Sequence, residues 1–153
     1  MIALMPFGVP TPEGFAALSD DQLRGAGMSR QKTGYLRDLC EKVSARNLDL
    51  ESLDELIDED VIASLVTIKG IGRWSAEMFL IFRLLRPDVL PVGDLGIITA
   101  VQKAYGLRKR PTPDRLRKIG EVWRPYRSVA SWYLWRSLDN EPVVKAVPVK
   151  ASR

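Results

Sequence analysis

The sequence predicts an all-α fold, and three observations carry it. Apolar residues recur three and four apart, as on one face of a helix; Val61, Ile62 and Leu65 do so, and again Ile97, Ile98 and Val101. The starts of such segments carry helix-capping residues, among them Thr11-Pro12, Ser19 and Thr112-Pro113. No stretch alternates with the period of two that a half-buried strand requires. The chain has 153 residues, enough for one modest domain with its own core.

In chain order, residues 1–10 read as irregular, with Pro6, Gly8 and Pro10 as breakers. Thr11 then caps a helix with Pro12 at its first position. Ser19-Asp20-Asp21-Gln22 matches a capping box and opens a short helix ending near Gly25 and Gly27. Ser29 caps a longer helix whose Tyr35, Leu36, Leu39, Cys40 and Val43 form one stripe, expected to be buried. Leu53, Leu56 and Ile57 predict another short turn. Asp58 is placed to cap a helix burying Val61, Ile62, Leu65 and Val66. A long apolar helix from Arg73 to Arg86 must stop before Pro87.

After Asp94, Ile97, Ile98, Val101 and Tyr105 repeat at helical spacing until Gly106 ends them. Thr112-Pro113-Asp114 starts a helix with Leu116 and Ile119 inward, and Pro125 restarts helix through Trp132 and Trp135 to about Leu138. From 139 to 153 the pattern lapses, which predicts a mobile tail after a helical domain spanning 11–138.

Composition excludes several chemistries. There is no histidine, which removes the commonest general base and Ser-His nucleophile systems. The single cysteine, Cys40, rules out an intramolecular disulfide and any four-cysteine metal site. No apolar run approaches the roughly 18 residues of a membrane span. The first residues carry no signal-like stretch, so a cytoplasmic (in a bacterium) or nuclear setting is expected rather than secretion. The net charge of +4 is compatible with nucleic-acid binding. The densest basic patch, Arg108-Lys109-Arg110, reads equally as a solvated loop or a phosphate contact.

The stretch from Thr67 to Ser75, Thr-Ile-Lys-Gly-Ile-Gly-Arg-Trp-Ser, reads as a tight turn between two helices. Glycine at 70 and 72 permits positive φ and close backbone approach. The start of the second helix leaves N–H groups without intrahelical partners at its positive dipole end, a seat for an anion such as a phosphate. Pro91-Val92-Gly93-Asp94 follows, with Asp94 lying 22 residues past Gly72.

Hairpin, apolar helix and Gly/Pro loop ending in Asp, in this order, resemble the helix-hairpin-helix DNA glycosylases. Gly72-Arg73-Trp74-Ser75-Ala76 and Trp123-Arg124-Pro125-Tyr126-Arg127-Ser128 are most similar to the 3-methyladenine DNA glycosylase II branch. The resemblance runs from about Pro10 to Leu138, with the hairpin motif at about 59–86. It implies an HhH-GPD-type helical domain that hydrolyses the N-glycosidic bond of alkylated purines in double-stranded DNA, with no cofactor.

Position alone makes Asp94 an N-cap. The resemblance makes it the catalytic carboxylate, an anion facing the positive charge that develops on the sugar and able to orient the attacking water. Bifunctional relatives place a lysine two residues past the second hairpin glycine. Here that position is Trp74, so the resemblance implies a monofunctional enzyme that forms no Schiff base.

Aromatic faces suit a cationic purine. By resemblance Trp74 and Trp135 line the base pocket, with Met78 and Leu95 standing where a better-known branch member has aromatic residues. The competing reading of Trp74, Met78 and Phe82 is core packing, since helical spacing aligns them in any case. Gly70, Ile71, Gly72, Arg73 and Ser75 would hold one phosphate. The carbonyls of Val66, Ile68 and Ile71 would bind a monovalent cation, Na+ or K+. Lys32 matches a basic family position that could touch the DNA backbone, though the solvated helix charge is the favoured reading.

Relatives carry helices ahead of the matching region, including a DNA-wedging segment that nothing in residues 1–10 resembles. The alternative reading is therefore a non-catalytic helix-hairpin-helix module that binds duplex but cannot close a base pocket. Nothing in the sequence fixes an oligomeric state.

Overall fold

The structure, a computed structural model, describes residues 11–45 and 47–139, and among these every regular element is helical. The expectations for residues 1–10 and for the tail beyond 139 lie outside the described residues. The chain divides into two compact units, Met1–Leu85 and Arg86–Arg153.

The first unit holds five helices: α1 (Pro12–Ala16), α2 (Asp20–Gly25), α3 (Arg30–Ser44), α4 (Asp58–Leu65) and α5 (Arg73–Phe82). The starts of α1 to α3 follow local chemistry. Thr11 accepts from the Gly14 N–H, and Ser29 accepts from the Lys32 N–H. Ser19 and Gln22 form both bonds of the capping box. α2 ends with Met28 N–H on the Leu23 carbonyl and Gly27 N–H on Arg24, with Gly27 at φ 84°. Phe15, Leu18 and Leu23 form a buried cluster against Met28, Leu36 and Cys40.

Three expectations are corrected. Asp58 is the first residue inside α4 rather than its cap; Ile57 occupies the cap position, and three acids favour the positive end of the helix. The α3 stripe is half-buried rather than buried, and the fully covered residues are the polar Thr33 and Asp38 on a neighbouring face. α5 ends at Phe82 rather than Arg86. There the Arg83 and Leu84 N–H groups both turn back to the Phe79 carbonyl, and Leu85 adopts φ 53°, so the chain leaves the helix well before proline.

The second unit holds α6 (Leu95–Ala104), α7 (Pro113–Gly120) and α8 (Arg127–Asp139), with a 3-10 turn at Glu121–Trp123. Ile97, Val101 and Leu116 are fully buried at its centre, with Ile119, Trp123, Leu134 and Trp135 packed around them.

The loop ahead of α6 is stitched to the start of α8. Ser128 Oγ donates to the Arg86 carbonyl (2.6 Å) and accepts the Val89 N–H (2.9 Å), while its own N–H donates to Pro87 (2.9 Å). Arg127 grips the Asp88 carboxylate through Nε (2.6 Å) and Nη2 (2.9 Å), and Arg124 adds a third contact (2.8 Å).

Candidate glycosidic-bond site and phosphate-binding hairpin

Asp94 is the N-cap of α6, so its conventional role is real: Oδ1 accepts the Ile97 N–H at 2.7 Å. The same oxygen also accepts the Trp135 indole N–H at 2.9 Å, from α8, 41 residues away. The side chain is nearly buried, with 8% exposure for the residue. Pro91, fully buried, accepts the Asp94 N–H and closes the Val92-Gly93 turn that delivers the carboxylate to the helix start.

Trp135 reaches Asp94 because Gly96 lies beneath it. A Cβ at residue 96 would sit 2.9 Å from Trp135 Cδ1 and 3.0 Å from Asp94 Oδ1, too close for either. Trp135 is thus a partner of the carboxylate and a half-buried member of the core cluster at once. Leu95 extends outward beside it, 69% exposed.

The hairpin lies in the first unit. Ile71 N–H bonds to the Ile68 carbonyl at 3.1 Å, Gly70 takes φ 84°, and Gly72 is the N-cap of α5 without a side-chain cap. The first bond of α5 runs from Ala76 N–H to the Gly72 carbonyl. Residues 72–75 therefore open the helix with N–H groups that have no i−4 partner, as an anion seat requires.

Arg73 is placed differently from a free phosphate clamp. Its guanidinium straddles the Glu59 carboxylate with both terminal nitrogens and donates from Nε to the buried Glu77 at 3.1 Å. That clamp joins α4 to α5, so what Arg73 offers an anion is its backbone N–H. Arg73 in turn holds Glu59 below the usual carboxylate range, chiefly by the side-chain hydrogen bond.

Along α5 the buried face is Ala76, Glu77, Leu80 and Ile81. The stripe of Trp74, Met78 and Phe82 is the other face: Trp74 and Phe82 are 51% and 58% exposed, and Met78 is half-buried. Trp74 and Phe82 thus lie off the buried face of α5. Arg108, Lys109 and Arg110 are exposed in the turn after α6, and Lys32 is exposed on α3.

Asp38 on α3, in contact with the hairpin, was not singled out from sequence, and Tyr35 was read only as part of the α3 stripe. The only local signal is a charged residue lying between Leu36 and Leu39 on a mostly polar helix.

Residues 3–125 match the family described as HhH-GPD superfamily base excision DNA repair protein. The chain is 38% identical over 142 residues to DNA-3-methyladenine glycosylase 1 of Schizosaccharomyces pombe, covering 92% of this chain and 62% of that protein. A crystal structure of a DNA-3-methyladenine glycosidase from Bacillus halodurans is similar with TM-score 0.79 and 40% identity, covering 87% of this chain and 61% of that one. The S. pombe 3-methyladenine DNA glycosylase in complex with abasic DNA gives TM-score 0.78 at 36% identity, covering 90% and 68%. The chain spans only part of the length of the curated relatives it matches, 45% of a Bacillus subtilis protein and 62% of the S. pombe one among them.

Proposed function

Because the chain belongs to the HhH-GPD superfamily of base excision DNA repair proteins, we propose that it acts on double-stranded DNA, releasing an alkylated purine of the 3-methyladenine type by hydrolysis of its N-glycosidic bond. The observation that carries this reading is Asp94, nearly buried and held by both the α6 cap bond and the Trp135 indole. The names of the S. pombe and B. halodurans relatives support the substrate class.

In this reading the Asp94 carboxylate faces the sugar as its bond to the base lengthens. Its negative charge stabilises the oxocarbenium-like transition state, and it orients the water that completes hydrolysis. A cationic alkylated purine leaves without a dedicated general acid. Trp74, with its exposed ring, supplies an aromatic surface for such a base, worth up to about 2 kcal/mol when desolvated. Met78, Leu95 and Trp135 are assigned lesser contacts.

The amides of Gly70, Gly72, Arg73 and Ser75 hold a phosphate; the expected Ile71 amide is instead spent on the Ile68 carbonyl. The hard oxygens of Val66, Ile68 and Ile71 suit a Na+ or K+ ion by donor type; Ile68 O accepts the Ile71 N–H and, with two lone pairs, can accept a second partner. That ion would supply positive charge beside the phosphate. With tryptophan at 74 in place of a lysine, the enzyme is assigned as monofunctional. No described helix is long and apolar enough to cross a membrane, and the cytoplasm or nucleus is the compartment that holds the proposed substrate.

The test is single-turnover base release from methylated duplex DNA by the wild type and by Asp94→Asn. Release is expected from the wild type, leaving intact abasic strands and no borohydride-trapped adduct, and is expected to fall at least about 100-fold in the variant, as for loss of a main electrostatic stabiliser. Duplex binding without release by the wild type would overturn the enzyme reading and leave a DNA-binding module.

A further inference from the structure

The hairpin is held in place by α3. Asp38, 7% exposed, accepts the Lys69 backbone N–H through Oδ2 at 2.9 Å. Its carboxylate also pairs with Lys42 Nζ at 3.2 Å and Lys69 Nζ at 3.4 Å. One turn earlier, Tyr35 lies directly under Gly70: a Cβ on residue 70 would fall 2.3 Å from Tyr35 Cδ2. Gln31 Nε2 donates to the Tyr35 hydroxyl at 2.5 Å. Residues 31, 35, 38 and 42 share one face of α3, and that face is the bed of the hairpin loop.

Aspartate mid-helix is a poor helix former, and covering its carboxylate from solvent is costly unless it is paired. The pairing it receives is specific. One oxygen takes a backbone N–H of the loop itself, the residue immediately before the glycine with positive φ. That bond fixes the peptide plane between Ile68 and Lys69, and so the direction in which the following amides leave the turn. Phosphate capture by backbone amides depends on that direction, since the donors cannot be re-aimed by side-chain rotation.

We propose that Asp38 is a positioning residue for DNA binding: its carboxylate oxygen, accepting the Lys69 N–H, aims the amides of Gly70, Gly72, Arg73 and Ser75 at a duplex phosphate. This rests on the reading that the hairpin binds duplex DNA. Charge and positioning predict opposite signs here. Removing Asp38 raises the net charge by one and releases two lysines beside the loop, which by electrostatics alone tightens binding to DNA and steepens its salt dependence. Loss of the positioning bond weakens it.

The experiment measures affinity of the whole protein for a methylated duplex at several salt concentrations, with Asp38→Ala, Asp38→Leu and Asp38→Asn. Leucine keeps the shape of the side chain without an acceptor, so it stands in should the alanine variant not fold. Asparagine keeps the acceptor and loses the charge. Binding is expected to weaken about tenfold in the alanine and leucine variants, the scale of one lost charge-assisted hydrogen bond, and to stay within about threefold of wild type in the asparagine variant. Amide hydrogen exchange at residues 70–75 is expected to rise in the first two and recover in the third, which general destabilisation would not produce.

Equal or tighter binding by the alanine and leucine variants overturns the proposal, as does an asparagine variant as weak as they are. A wild type that binds no duplex sinks the DNA reading itself, and the proposal with it.

Discussion

At Asp94 a single oxygen serves the fold and the proposed chemistry together. Oδ1 caps the start of α6 by accepting the Ile97 N–H and also accepts the Trp135 indole N–H. A carboxylate fixed from two directions cannot swing away when charge develops nearby, which is what preorganised stabilisation requires. Trp135→Phe keeps most of the ring volume and deletes the indole N–H. A hydrogen bond to a charged group contributes about 1.5–3 kcal/mol, so single-turnover base release is expected to fall about 10- to 100-fold at a temperature well below the melting transition, which itself drops by several degrees. Gly96→Ala should move in the same direction, because its Cβ displaces the indole from Asp94. Unchanged release in both variants would show that Trp135 only packs.

At the scale of elements, α8 carries two serines on its buried face with opposite expectations. Ser128 Oγ satisfies two backbone groups of the loop leading to Asp94, whereas the Ser131 hydroxyl is fully buried with no hydrogen-bond partner among the described residues. Ser128→Ala should lower unfolding stability by about 1–3 kcal/mol, the cost of leaving a buried N–H and carbonyl unmet. Ser131→Ala should leave stability unchanged or raise it by up to about 1 kcal/mol, by deleting a desolvated hydroxyl; denaturant titration distinguishes the pair. The contrast also marks what the sequence reveals. Caps at Thr11, Ser19, Ser29, Asp94 and Thr112 were legible because capping is a transaction within four residues. The early end of α5 was not, since leucine at position 85 gives no sign that it will take φ 53°. Nor were the bonds that organise the two candidate sites, Asp38 to Lys69 and Trp135 to Asp94, which span 31 and 41 residues. The hairpin and Asp94 were visible as a spaced pattern; the side chains that aim them were not, because aim is set by tertiary contact.

For the whole molecule, the placement of carboxylates and the lack of histidine together set the response to acid. The Lys69 N–H, foremost, keeps the Asp38 carboxyl below its ordinary value, and the Arg73 hydrogen bond does the same for Glu59. At Asp88 burial pushes upward, but the Arg127 bonds and the charges of Arg127 and Arg124 outweigh it and the net direction is down. Each of these groups has a lower pKa folded than unfolded. Each therefore contributes stability in full above the ordinary carboxylate value of about 4, and loses it as pH falls toward the folded value. No histidine is present to add a transition between about pH 5 and 8. Urea midpoints measured from pH 8 downward should hold a plateau to about pH 5 and drop below about pH 4. The three groups sit in the hairpin bed, the α4–α5 clamp and the stitch to α8, so acid should loosen both units in the same window. A stability change centred near pH 6 would mean that a buried carboxylate with a raised value governs the fold, contrary to the ion pairs described.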